Sequence, residues 1–265
     1  APSLPEPTTP RLGDGSGNVE LLNVTFGYGD KPVLVDVTFH ARPGTVTAIV
    51  GPSGSGKTTI ARLISRFWDV DSGAVMVDGV DIRELGTEQL MSRLSMVFQD
   101  VYLFDDSLIA NIRVGRPDAS DEEVFRAADL SGVTSIANRL GWHTPVGEGG
   151  RLLSGGERQR VSVARALLKQ APIVLFDEAT SALDAENEAN ILAAMDELRE
   201  QSTFIVIAHK LDTIKSADQI VVLDEHGQVS QLGTHSELSD VPGIYRHFWQ
   251  QRKAARGWKI NSGRD

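Results

Sequence analysis

The sequence predicts an α/β fold: a mostly parallel core sheet covered by helices, flanked by an antiparallel β layer and a mainly helical lobe. Three observations carry this prediction. The runs Val46–Val50, Ile173–Phe176 and Phe204–Ala208 are short and almost wholly apolar, as strands buried on both faces must be. Stretches with helical patterning lie between them, and strand–helix alternation builds parallel sheets. The early part of the chain instead mixes β-branched and aromatic residues in partial alternation, the mark of antiparallel strands.

Taken in order, Ala1–Asn18 is rich in Pro, Gly, Ser and Thr and reads as a disordered linker. Val19–Tyr28 and Val33–Ala41 read as antiparallel strands joined near Gly29-Asp30. Thr45–Val50 is a buried strand running into a glycine-rich turn, followed by a helix over Lys57–Trp68. Ala74–Ile82 forms a hairpin around Asp78-Gly79, which suits a tight turn. Leu85–Leu140 is mostly helical, and a lobe is expected over about residues 85–165. Helices are expected over Asp121–Leu130, Gly155–Lys169 and Ala185–Glu200, with strands at Ile173–Asp177 and Thr203–Ala208. Ile220–Leu223 and Gln228–Leu232 close a second hairpin around His226-Gly227. Residues 19–250 thus form one domain, 251–265 a tail, and the polar Ile260–Asp265 a loose end.

With 265 residues and 41% hydrophobic content, the chain can bury a core of one large domain. A net charge of −10 repels phosphate backbones and argues against nucleic acid as a partner. The absence of cysteine rules out disulfides and cysteine-based zinc sites. No apolar run approaches the roughly 18–20 residues that span a bilayer. No basic stretch followed by an apolar one suggests a signal peptide. Any membrane connection must therefore come through a partner or a segment outside this sequence.

Gly51-Pro52-Ser53-Gly54-Ser55-Gly56-Lys57-Thr58 fits the phosphate-loop pattern GxxxxGK followed by Ser or Thr, with Thr59 next. It lies between a strand and a helix, where the pattern requires it. Glycines let the backbone curl so that successive N–H groups point at phosphates, and the helix N-terminus adds partial positive charge. Lys57 would reach the β- and γ-phosphates and Thr58 would ligate Mg²⁺. The strand Ile173–Phe176 carries Asp177 and Glu178 at its C-terminal end, where open α/β sheets place ligands. Asp177 would hold Mg²⁺ through water, and Glu178 would polarise the attacking water as general base or positioning group.

Leu153-Ser154-Gly155-Gly156-Glu157 opens a predicted helix upstream of that strand and resembles the ABC signature, usually LSGGQ. The resemblance covers about Val19 to Gln250. It implies an ABC-type P-loop ATPase that binds ATP and Mg²⁺. It also implies that Ser154, Gly155 and Gly156 face the γ-phosphate bound to a second such domain, two ATPs being sandwiched head to tail. Tyr28 is similar to the aromatic that stacks on adenine. Gln99 resembles the Q-loop glutamine, which touches Mg²⁺ and senses a transmembrane partner. Ser181-Ala182-Leu183-Asp184 resembles the D-loop, and His209 the switch histidine at the γ-phosphate. Alone, a strand ending in Asp-Glu or a single histidine is ordinary; the ordered series makes them a site.

Thr144-Pro145-Val146-Gly147-Glu148 resembles the X-loop of exporter-type ABC proteins, in which a six-helix transmembrane domain precedes the ATPase domain. The resemblance implies a domain at the cytoplasmic face of a membrane, bacterial inner or cell membrane being the expected setting. Three positions depart from the family pattern: Glu157 for Gln, Gly149 where Arg is common, and Lys210 for Arg after the switch histidine. None removes a catalytic role. Two other readings are a stand-alone importer subunit and a soluble ABC ATPase acting on DNA or ribosomes. Chromosome-type relatives insert a coiled coil between phosphate loop and signature, but no heptad run separates Lys57 from Ser154.

Overall fold

The computed structural model describes residues 4–98, 101–177, 193, 195–196, 198–208 and 211–261, with 254–261 described by backbone alone. Two sheets organise it. The first is antiparallel: β1 (Val19–Phe26), β2 (Leu34–Ala41), β4 (Ser72–Val77) and β5 (Val80–Asp81), in the order β2-β1-β4-β5. The second contains β3 (Val46–Val50), β6 (Leu94–Val97), β7 (Ile173–Asp177), β8 (Thr203–Ile207), β9 (Gln219–Leu223) and β10 (Val229–Gly233). Its order is β10-β9-β3-β8-β7-β6, parallel throughout except for β10 against β9.

Strand alternation divides this second sheet between two cores. Val46, Ala48, Val50, Val174, Phe176, Phe204 and Val206 face one apolar cluster. Their neighbours Ile49, Ile173, Leu175 and Ile205 face the other, shared with the antiparallel sheet and with Ile60, Leu63 and Ile64 of helix α1 (Lys57–Ile64). A strand with period two can do this only if both faces are apolar, which is why these strands read as continuous hydrophobic runs. The expected α/β architecture with an antiparallel layer is therefore found.

The helical lobe comprises α2 (Thr87–Arg93), α3 (Leu108–Arg113), α4 (Asp121–Leu130), α5 (Thr134–Leu140) and α6 (Gly155–Lys169). The short β6 interrupts it and belongs to the core sheet, pairing Leu94–Val97 with Ile173–Phe176. Beyond β8 come α7 (Leu211–Ser216), α8 (His235–Asp240) and α9 (Ile244–Asn261). Helix α9 continues through the segment expected to be a tail. It is fixed by buried Tyr245, whose hydroxyl lies 2.7 Å from His235 Nδ1 and whose N–H donates to Gln231 Oε1 at 3.0 Å.

The first segment has little regular structure, as its composition implies, but its described part is docked rather than loose. Arg66 donates to the Pro5 carbonyl at 2.9 Å, and Arg11 pairs with Glu84 at 2.7 Å. Gly17 N–H donates to buried Asp78 Oδ1 at 2.6 Å. These bonds join residues far apart in sequence, which local composition cannot register.

Candidate functional site

The core strands β3, β6, β7 and β8 run parallel, so their C-terminal ends share one edge of the sheet. There β3 enters the glycine-rich loop. Gly56, the residue capping α1, adopts φ 90°, and a Cβ there would meet Leu34 Cδ2 at 2.5 Å. The left-handed backbone strains any other residue, and the Val33 carbonyl 3.1 Å from the same Cβ leaves it little room. Lys57 is buried, and its ammonium donates to the carbonyls of Gly51 at 3.1 Å and Pro52 at 2.7 Å. Thr58 Oγ1 donates to Asp177 Oδ1 at 3.1 Å, linking the loop to the end of β7. Thr59 Oγ1 lies 3.3 Å from the Tyr28 hydroxyl.

A cleft of about 450 Å³ opens over the loop, walled by most of Gly51–Thr59 and by Val33, Phe248 and Arg252. Ser55 is buried, and its hydroxyl has no hydrogen-bond partner among the described residues. Half-exposed Tyr28 stands edge-on to both Phe26 and Trp68, each at 5.1 Å between centroids. This packing holds the ring upright and leaves surface free for stacking. The Thr58–Asp177 pair supplies hard oxygen donors of the kind Mg²⁺ takes.

Ser154, Gly155 and Gly156 sit at the exposed N-terminus of α6 and are not among the described residues lining this cleft. Ser154 Oγ accepts from the Glu157 N–H at 3.2 Å, and Glu157 accepts from the Ser154 N–H at 2.8 Å, a reciprocal capping box. With its oxygen accepting, the Ser154 hydroxyl proton remains available to an anion. The departure at position 157 thus has a structural sense: Glu and Gln serve this box equally, and Arg139 pairs with the carboxylate. Burial pushes the Glu157 carboxyl up, but its bonds to the Ser154 backbone and Arg139 bring it below the usual glutamate range.

Gln99, Glu178, Asp184 and His209 lie outside the described residues. In sequence, the first follows β6, the second follows β7 directly, and His209 comes soon after β8.

The structure adds residues that the sequence reading missed. Phe248 and Arg252 reach the cleft from α9; their i, i+4 spacing alongside Tyr245 and Trp249 was the available signal. Gln159, buried on α6, donates to the Phe98 carbonyl at 3.3 Å, just before Gln99. Arg165 of α6 donates to the carbonyls of Asn111 at 2.6 Å and Tyr102 at 2.8 Å. Burial pulls its guanidinium down to about 10. The segment matched to the X-loop packs beside this network: Val146 N–H donates to the Asp106 carbonyl at 2.9 Å.

Comparison with known proteins agrees with this geometry. A family model described as ABC transporter matches residues 34–181. The chain is 48% identical over 92% of its length to the mycobactin import ATP-binding/permease protein IrtB of Mycolicibacterium thermoresistibile, covering 42% of that protein. It is 44% identical over 90% of its length to the mitochondrial iron–sulfur clusters transporter ATM1 of Yarrowia lipolytica, covering 34% of it. It is 47% identical over 87% of its length to the ATP-dependent lipid A-core flippase of Vibrio vulnificus, covering 40% of it. A solved bacterial Atm1-family ABC exporter with ATP bound superimposes with a TM-score of 0.88 at 43% identity, over 93% of this chain and 43% of that one. The chain therefore spans less than half the length of these relatives. Matched by that family model over more than half of its length and by relatives over about nine-tenths of it, the chain belongs to the ABC transporter family, as its ATP-binding ATPase domain.

Proposed function

We propose that this domain powers transport across a membrane by ATP-driven, head-to-tail pairing with a second ABC domain. The observation that carries the proposal is the separation of two anion-binding elements. The phosphate loop lines its own cleft, while the signature at Ser154–Gly156 is exposed and does not line it. A second domain, same or related, would complete each site by bringing its signature to the γ-phosphate.

In this reading Lys57 supplies charge to the β- and γ-phosphates, Tyr28 stacks on adenine, and Thr58, Asp177 and Gln99 hold Mg²⁺. When bound, Mg²⁺ would neutralise phosphate charge. Glu178 accepts a proton from the attacking water, His209 contacts the γ-phosphate, and Asp184 crosses the pairing interface. A transmembrane domain, on the same chain or another, would dock on the helical lobe, placing this domain at the cytoplasmic face of a bacterial inner or cell membrane. The exposed aromatics Tyr102 and Phe104 support that docking, since they lie near Gln99 in sequence. Among the described residues no helix is long and apolar enough to cross a membrane. Relatives of similar identity are named for import, iron–sulfur cluster transport and lipid A-core flipping. This supports assigning cargo choice to the portion of those proteins outside the shared domain.

The test is Glu178→Gln, with ATPase activity and ATP-dependent dimerisation measured together. Turnover falls by about 10²–10⁴ while the ATP-bound dimer persists. Unchanged turnover would remove Glu178 from the mechanism.

A further inference from the structure

Part of the wall of the cleft over the glycine loop comes from helix α9. Phe248 and Arg252 of α9 line it together with Lys57. Arg252 thus brings a second cation to the cleft beside Lys57 and the Thr58–Asp177 pair, in a chain whose net charge is −10. Concentrating positive charge in a concave site within an acidic protein favours an anion there.

Arg252 is also held. Its guanidinium lies 4.6 Å from the centroid of the Phe248 ring, one helical turn away. Phe248 is half-buried and packs against the larger apolar core. The helix is tied down at its start by the Tyr245 contacts with His235 and Gln231, and the Trp249 ring lies 4.3 Å from that of His235. A guanidinium stacked on an anchored ring loses little further freedom when it binds an anion, and its planar donor array suits phosphate oxygens.

We propose that Arg252 is a second phosphate-binding cation of this nucleotide site, acting in cis beside Lys57 on the terminal phosphates of ATP, with Phe248 as its positioning residue. The proposal rests on the reading of Gly51–Thr58 as the nucleotide site. It extends that site to a helix that no phosphate-loop pattern would include.

The test titrates ATP and AMP, each with Mg²⁺, into the unmodified chain and into Arg252→Ala, Arg252→Lys, Phe248→Ala, Phe248→Trp and Lys57→Ala. Loss of a partly exposed charge-assisted bond predicts about five- to twenty-fold weaker ATP binding for Arg252→Ala, with AMP binding unchanged. Arg252→Lys falls between. Phe248→Ala weakens ATP binding and Phe248→Trp restores it, which a purely packing role for the ring would not require. The thermal midpoint without nucleotide separates misfolding from loss of contact; if Arg252→Ala misfolds, the Lys variant decides. Unchanged or tighter ATP binding on removing the guanidinium, or equal losses for ATP and AMP, overturns the proposal. If Lys57→Ala itself binds ATP normally, the phosphate-loop reading fails, an outcome distinct from failure at Arg252 alone.

Discussion

Thr58 Oγ1 donates a 3.1 Å hydrogen bond to Asp177 Oδ1 across 119 positions of sequence. It joins the first turn of α1 to the end of β7, the two points from which a hard cation beside the phosphates would be held. Asp177→Asn keeps the shape and removes the charge. The expected outcome is an increase of about 10–100-fold in the Mg²⁺ concentration giving half-maximal ATPase activity. A Mg²⁺ titration of both chains checks it; superimposable curves would take Asp177 out of the metal site.

Tyr28 packs edge-on against both Phe26 and Trp68 with its hydroxyl at Thr59. Base–aromatic stacking is worth about 1–3 kcal/mol. Tyr28→Ala is therefore expected to weaken ATP binding by about five- to a hundred-fold, whereas Tyr28→Trp retains most of it. Calorimetric titration distinguishes the two. Equal losses in both variants would point to the hydroxyl contact instead of the ring.

The Ser154–Glu157 capping box ties stability to signature geometry. Ser154→Ala is expected to cost about 0.5–2 kcal/mol of stability, measurable by urea unfolding. The Glu157 carboxyl lies below its ordinary range when folded. Its contribution is therefore complete above the usual glutamate range and is lost as pH falls through the folded value. Glu157→Gln keeps the box without titrating. Comparing the two chains near neutrality and in acid, the gap between their unfolding midpoints should shift against the native chain as pH falls. A gap independent of pH would contradict this.

The elements that carry the candidate site were legible because their signals are local. The strand–loop–helix around Gly51–Thr58 and the cap at Ser154 sit in contiguous residues, and helix α6 falls on Gly155–Lys169 as expected. What escaped is non-local or short. β6 is four residues with a polar Ser95 at its second position, and only its pairing with Ile173–Phe176 makes it a strand. Helix α1 stops at Ile64 rather than Trp68, with Arg66 at φ 51°, outside helical geometry. The docking of Pro5 and Arg11 depends on Arg66 and Glu84, far along the chain. Arg252 lines the cleft from a helix whose anchoring, Tyr245 to His235 among its contacts, is likewise non-local.

If the exposed Ser154 signature serves an ATP that another domain holds, hydrolysis needs two domains. The most direct measurement is specific ATPase activity against protein concentration, with molar mass followed by light scattering in the same samples. Association is bimolecular and costs several kcal/mol in lost freedom. Specific activity is therefore expected to rise with concentration, in step with the fraction of dimer. Constant specific activity across a range where scattering reports only monomer would contradict it and leave a monomeric ATPase.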